Sequence, residues 1–118
     1  MAKVAIVVLA GTETHEGLGR VVNALEAVKE FKEARDDVKL IFDGAGAAWV
    51  PELAKQDHKA QGLFAAVRDR VSAVCSYCAC AFGVKGEVQA CDVQLLGEYE
   101  GHPSFRNLVA AGNQVITF

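Results

Sequence analysis

Proline is scarce in this chain of 118 residues, which holds two, together with one methionine and one tryptophan. Both prolines, Pro51 and Pro103, fall in the first turns of predicted helices, where a missing N–H breaks no hydrogen bond. No proline-rich tract, low-complexity segment or internal repeat divides the sequence, so one domain over residues 1–118 is expected. A basic excess is lacking as well. Twelve Lys and Arg stand against 15 Asp and Glu, for a formal net charge of -3. Nucleic-acid binders need a basic face to replace phosphate counterions, so no nucleic-acid partner is expected. The charges are interspersed, as in VKEFKEARDD (residues 28–37), and form no basic stripe for a membrane surface. Nor does any apolar run approach the roughly 18 residues that a bilayer span requires. The first run, Val4 to Ala10, is short and reads as a buried strand rather than a secretion signal. A cytoplasmic location with reduced cysteines is the expectation.

Apolar residues are abundant. They make up 52% of the chain, and the mean hydropathy is +0.19. A chain of this length buries roughly two thirds of the surface it exposes when unfolded. Apolar surface is then left over, and a homo-oligomer is the simplest way to cover it.

The pattern along the chain alternates between strand and helix. KVAIVVLAG (3–11) is a continuous β-branched run ending in glycine, as expected of a strand covered on both faces. Leu18, Val21, Val22, Leu25, Val28 and Phe31 then make one helical stripe, with Thr14 as its N-cap. VKLIFDGAG (38–46) predicts a second strand with a tight turn. AAWVPELAKQ predicts a short helix, and residues 57–70 a longer one. VSAVC (71–75) reads as a third strand passing into a short helix, and VQLLG as a weaker fourth. HPSFRNLVAAG predicts a last helix with Pro103 near its start and Gly112 past its end. QVITF closes the chain as a fifth strand. Such alternation predicts a three-layer α/β/α, flavodoxin-like fold around a mainly parallel five-stranded sheet.

Ligands of open parallel sheets bind outside the carboxyl ends of the strands. The loops AGTETH, DGAG and VCSYC leave those ends, which nominates Thr12, His15, Asp43, Gly44 and Cys75 as crevice-lining residues. Cys75 stands where a strand hands over to a helix, a position that favours the thiolate. A buried, inert thiol is the competing reading. Cys78 completes a CxxC with Cys75, a spacing typical of dithiol redox sites. The intervening Ser-Tyr does not match thioredoxin. Cys80 is expected to pack in the core. A structural zinc needs four ligands, usually as two short-spaced pairs. Cys91 stands alone and no second pair follows, so no metal and no cofactor is expected. His15 is either a base for Cys75 or a solvated first-turn residue. His102 is expected to help cap the last helix, with a role at the site left open. His58 is expected to be solvated, and Trp49 to line a pocket or pack in the core. Two glycines in DGAG are a tight turn rather than a nucleotide fingerprint.

The element order, the stretch VCSYCACAFGV and the ending LVAAGNQVITF together resemble the DsrE/DsrF-like family. That family includes the TusD-type sulfur-relay subunits and has the YchN-like fold. Cys75, Ala79, Gly83 and Val84 fit its pattern of a cysteine after the third strand, a helix of small residues, then glycine and valine. The resemblance implies a flavodoxin-like domain assembled as a dimer, trimer or hexamer. It also implies a persulfide-forming role that falls on Cys75 alone, with a sulfur-donor or acceptor protein as partner. Cys78 and Cys80 depart from the pattern, where small residues are usual. The expected function is a sulfur carrier or sulfurtransferase. A dithiol redox protein using Cys75 and Cys78, and a small-molecule-binding oligomeric module, are the alternatives.

Overall fold

Strand β1 (Lys3–Val8) pairs in parallel with β2 (Asp37–Phe42) along its whole length, from Lys3 opposite Asp37 to Val8 opposite Phe42. The computed structural model describes residues 1–118. Strand β3 (Val71–Cys75) adds to β2, and the two-residue β4 (Leu95–Leu96) adds to β3. Strand β5 (Gln114–Thr117) returns to the free edge of β1. The sheet therefore has five parallel strands in the order β4-β3-β2-β1-β5. This is the expected three-layer α/β/α, flavodoxin-like class.

Parallel neighbours require crossovers, and crossovers are right-handed. The connections from β1 to β4 all step in one direction along the sheet, so their helices share a face. The connection from β4 back to β5 steps the other way and crosses the opposite face. Helix α1 (His15–Glu33) covers the first face together with α2 (Trp49–Leu53) and α3 (Gln61–Val67). Val4, Ile6 and Val8 of β1 and Val38, Leu40 and Phe42 of β2 share a core cluster with Val21, Ala24, Leu25 and Val28 of α1. The alternate residues Ala5, Val7, Ile41 and Ala73 are buried too, which is why β1 reads as a continuous apolar run over Val4–Val8.

Local chemistry sets the ends of the elements. The Thr14 hydroxyl accepts the Gly17 N–H at 2.9 Å and starts α1, as expected. Strand β2 stops at Phe42, and the predicted turn is a 3₁₀ helix over Gly44–Ala48 with Asp43 as its N-cap. The helix predicted over 57–70 is shorter: α3 ends at Val67, and a 3₁₀ turn fills Arg68–Arg70. After β3 come α4 (Ser76–Ala81) and a helix not foreseen, α5 (Lys85–Ala90). The last helix, α6 (Phe105–Ala110), begins later than predicted because Ser104, not His102, caps it. No helix is long and apolar enough to cross a membrane.

Candidate functional site

Cys75 is the last residue of β3 and the N-cap of α4. Its Sγ accepts the Cys78 N–H at 3.4 Å, occupying the position that Ser, Thr or Asp oxygen takes in most caps. The CxxC spacing thus corresponds to N-cap and third helical residue, which sets both thiols at the same helix end. Neighbouring β2 ends at the same level, and its next residue, Asp43, turns its carboxylate inward. Asp43 is buried, accepts the Gly44 N–H at 2.8 Å and accepts from the Cys78 thiol at 3.6 Å.

The fourth member comes from the segment between β4 and α6. Tyr99 and His102 exchange both backbone hydrogen bonds, at 2.9 and 2.8 Å. Glu100 and Gly101 between them have φ of 51° and 89°, two successive positive values, as in a type I′ turn. The turn is docked on α4: the Tyr77 N–H donates to the Gly101 carbonyl at 2.9 Å, and the Cys75 thiol faces the same oxygen at 3.8 Å. Below the turn, the Glu98 carboxylate accepts the Ser104 N–H at 3.1 Å. Held at both ends, the turn places His102 Nδ1 3.3 Å from Cys75 Sγ. The Tyr77 ring lies over the imidazole with centroids 4.8 Å apart.

Asp43, Cys75, Cys78 and His102 therefore form one cluster whose ligand atoms all lie within 4.8 Å of one another. Asp43 and His102 also line a cleft of about 650 Å³, with Tyr99, Phe105 and Arg106 on its walls. Within the cluster, Cys75 is completely buried. Burial pushes its thiol up to about 12, the Asp43 carboxylate adds to the rise, and the Cys78 N–H opposes it. The expectation of a thiolate stabilised by a helix start is thus corrected. Helix α4 has only six residues, and the cost of desolvating a charge outweighs one N–H.

The structure divides the residues nominated from sequence. Asp43, Cys75 and Cys78 are brought together. Thr12 and His15 are not: they line a separate depression with Trp49, Glu52 and His58, and His15 is exposed. Strand β1 is separated from β3 by β2, which sets its end about 10 Å away at ordinary strand spacing. Gly44 contributes through its N–H, which holds Asp43. Cys80 is exposed rather than packed in the core, because it sits two residues past Cys78 on the outer side of α4. Cys91 is half-buried and packs against the core cluster. Trp49 is a core residue whose indole N–H donates to the Ala10 carbonyl at 2.8 Å. His58 is not simply solvated, since its Nδ1 accepts the Ala60 N–H and its ring meets Trp49 edge-on. The reason for setting metal aside, the want of ligands beyond one CxxC, is also corrected: Asp43 and His102 supply two more. The signal that marks His102 is the EGHP sequence, a turn glycine and a proline flanking the histidine.

No family model matches the chain. The uncharacterized protein MJ0733 of Methanocaldococcus jannaschii is 30% identical over 96 residues, which cover 81% of this chain and 78% of that protein. Two solved structures share the fold. A conserved protein of unknown function from Bacteroides thetaiotaomicron, BT1422, superposes with a TM-score of 0.64 at 14% identity, over 97% of this chain and 94% of that one. The ychN protein of E. coli superposes with a TM-score of 0.61 at 16% identity, over the full length of both chains. The YchN-like fold expected from VCSYCACAFGV is therefore present.

Proposed function

The chain belongs to the family of the Methanocaldococcus jannaschii protein MJ0733, and from the pairing of its Cys75 with His102 we propose that it is a sulfur-transfer protein whose Cys75 carries the sulfur. The observation that carries this reading is the 3.3 Å contact between Sγ of the buried Cys75 and Nδ1 of His102, which lines the cleft. A thiol held protonated by burial becomes a nucleophile only when a neighbouring base takes its proton. Once formed, a thiolate of high proton affinity is the stronger nucleophile. His102 is the base within reach, and the YchN-like fold is in keeping with sulfur chemistry at this position.

The transfer balances without an oxidant. His102 takes the proton of Cys75, and the thiolate attacks the terminal sulfur of a donor persulfide, R–S–SH. The donor S–S bond breaks, a Cys75–S–SH bond forms, and the departing R–S⁻ takes the proton back from His102. Cys78 gives the persulfide a second fate. Asp43 takes the proton of the Cys78 thiol, the thiolate attacks Cys75 Sγ, a Cys75–Cys78 disulfide forms, and the terminal sulfur leaves as HS⁻, which takes up that proton as H₂S. Two cysteine sulfurs are then oxidised, one sulfane sulfur is reduced, and a dithiol reductant is needed to reset the pair.

The proximity of Cys78 to Cys75 also favours a second reading, a dithiol redox protein that carries electrons rather than sulfur. Treating the reduced protein with a small-molecule persulfide separates the two. Sulfur transfer requires added sulfur on Cys75, or sulfide released together with the Cys75–Cys78 disulfide. A disulfide that forms with ordinary disulfides while persulfide donors leave no sulfur and release no sulfide would replace the first reading with the second.

A further inference from the structure

We propose that Asp43, Cys75, Cys78 and His102 form a tetrahedral binding site for a borderline-soft divalent cation, with zinc the best match. The four ligand atoms lie within 4.8 Å of one another. Zinc bonds of about 2.3 Å to sulfur and about 2.0–2.1 Å to nitrogen or oxygen give a tetrahedron with edges of roughly 3.3–3.8 Å. Two edges already have that length: Cys75 Sγ to His102 Nδ1 at 3.3 Å, and Cys78 Sγ to Asp43 Oδ1 at 3.6 Å. The remaining edges are at most 4.8 Å and close by at most about 1.5 Å, within the reach of side-chain torsions.

The chemistry of the set selects the ion. Two thiols, one imidazole and one carboxylate suit zinc, whereas magnesium and calcium require oxygen ligands. Cys75 and Cys78 have the C-x₂-C spacing of zinc sites. The partners around the ligands are also in place. The Cys78 N–H points at Cys75 Sγ, the Gly44 N–H holds Asp43, and Tyr77 stacks on His102. Such outer contacts fix ligand orientation and temper thiolate charge. Arg106 on the cleft wall supplies a positive charge beside a set that is anionic when loaded. Three of the four residues are buried, which separates the cluster from a chance grouping of surface acids. The ion would join the ends of β2 and β3, helix α4 and the His102 turn.

The site uses the thiols of the sulfur-transfer reading but does not rest on it. A cation on both thiolates and a sulfur on Cys75 exclude one another, so each can be measured without the other. Cobalt(II) added to the reduced C80S/C91S protein reads the site directly, because Cys75 and Cys78 are then its only thiols. The expected result is one cobalt per chain with tetrahedral d–d absorption and thiolate-to-cobalt charge transfer, all displaced by zinc. Cys78→Ser should remove about half of the charge-transfer intensity. His102→Gln and Asp43→Asn should each weaken zinc binding by at least the roughly 10–100-fold that even an outer-shell partner costs. Circular dichroism establishes that each variant is folded, and His102→Gln decides alone if Asp43→Asn is not. An octahedral cobalt spectrum without charge transfer, or zinc affinity unchanged in folded His102→Gln, overturns the proposal. Absence of sulfur transfer alongside a tetrahedral cobalt spectrum would remove the sulfur reading and leave the metal site standing.

Discussion

Cys75 Sγ and His102 Nδ1 are 3.3 Å apart although the two residues stand 27 positions apart in the chain. The contact exists because two independent devices meet. One is the strand-to-helix junction that makes Cys75 an N-cap, and the other is the turn over Glu100 and Gly101 that folds His102 back on Tyr99.

His102→Gln keeps a hydrogen-bonding side chain in the turn but removes the base. The rate of sulfur loading on Cys75 should fall by about 10²–10⁴, the usual contribution of a positioned general base. Pre-steady-state mass spectrometry measures it, and a rate equal to wild type would remove His102 from the chemistry.

Gly101→Ala tests the turn. The residue has φ of +89°, and an added Cβ would stand 3.3 Å from Tyr77 Cβ. The left-handed conformation costs an L-residue about 1–2 kcal/mol, so denaturant unfolding should show a loss of that order. Loading of Cys75 should slow as well, because the same turn aims His102.

Thiol labelling should follow burial. A bulky maleimide at neutral pH is expected to modify exposed Cys80 well before Cys75, which is fully buried and has its thiol pushed up to about 12. The raised value also gives stability a sign. The folded state binds the Cys75 proton more tightly than the unfolded chain, so this contribution is complete below the ordinary thiol range and is lost as pH rises from about 9 toward 12. Cys75→Ser should flatten that part of a pH–stability curve measured on protein freed of metal by a chelator.

Part of the apolar excess is exposed on α6 and β5. Phe105 and Val109 on α6 and Ile116 on the adjoining β5 are exposed. We propose that copies of the chain meet there. Light scattering at micromolar concentration should give at least a dimer, and Val109→Lys should reduce the mass. A monomer in the unmodified chain would contradict the proposal.

The sheet was legible in the sequence because its central strands are buried on both faces, so Val4–Val8 stands out as an unbroken apolar run and Leu40–Phe42 as a shorter one. Helix α1 was legible from its stripe and its Thr14 cap. The two-residue β4 was marked only by the short apolar stretch VQLLG, and helix α5 not at all, since its six residues are too few to show a period. At the site, Cys75 and Cys78 are joined by local spacing, and Asp43 follows from the adjacency of β2 and β3. His102 has no such tie. Its place depends on a turn and on Tyr77 and Glu98, contacts that no periodicity encodes. His15 was drawn in by the general rule about strand ends, which does not say that β1 lies two strands from Cys75.

The most direct measurement removes the resolving thiol. Reduced Cys78→Ser protein is treated with a small-molecule persulfide, and intact mass with peptide mapping locates the added sulfur. The sulfur-transfer account predicts one sulfur retained on Cys75, where wild type divides between the Cys75 persulfide and the Cys75–Cys78 disulfide with sulfide released. Sulfur found on Cys80 or Cys91 with none on Cys75 would contradict it.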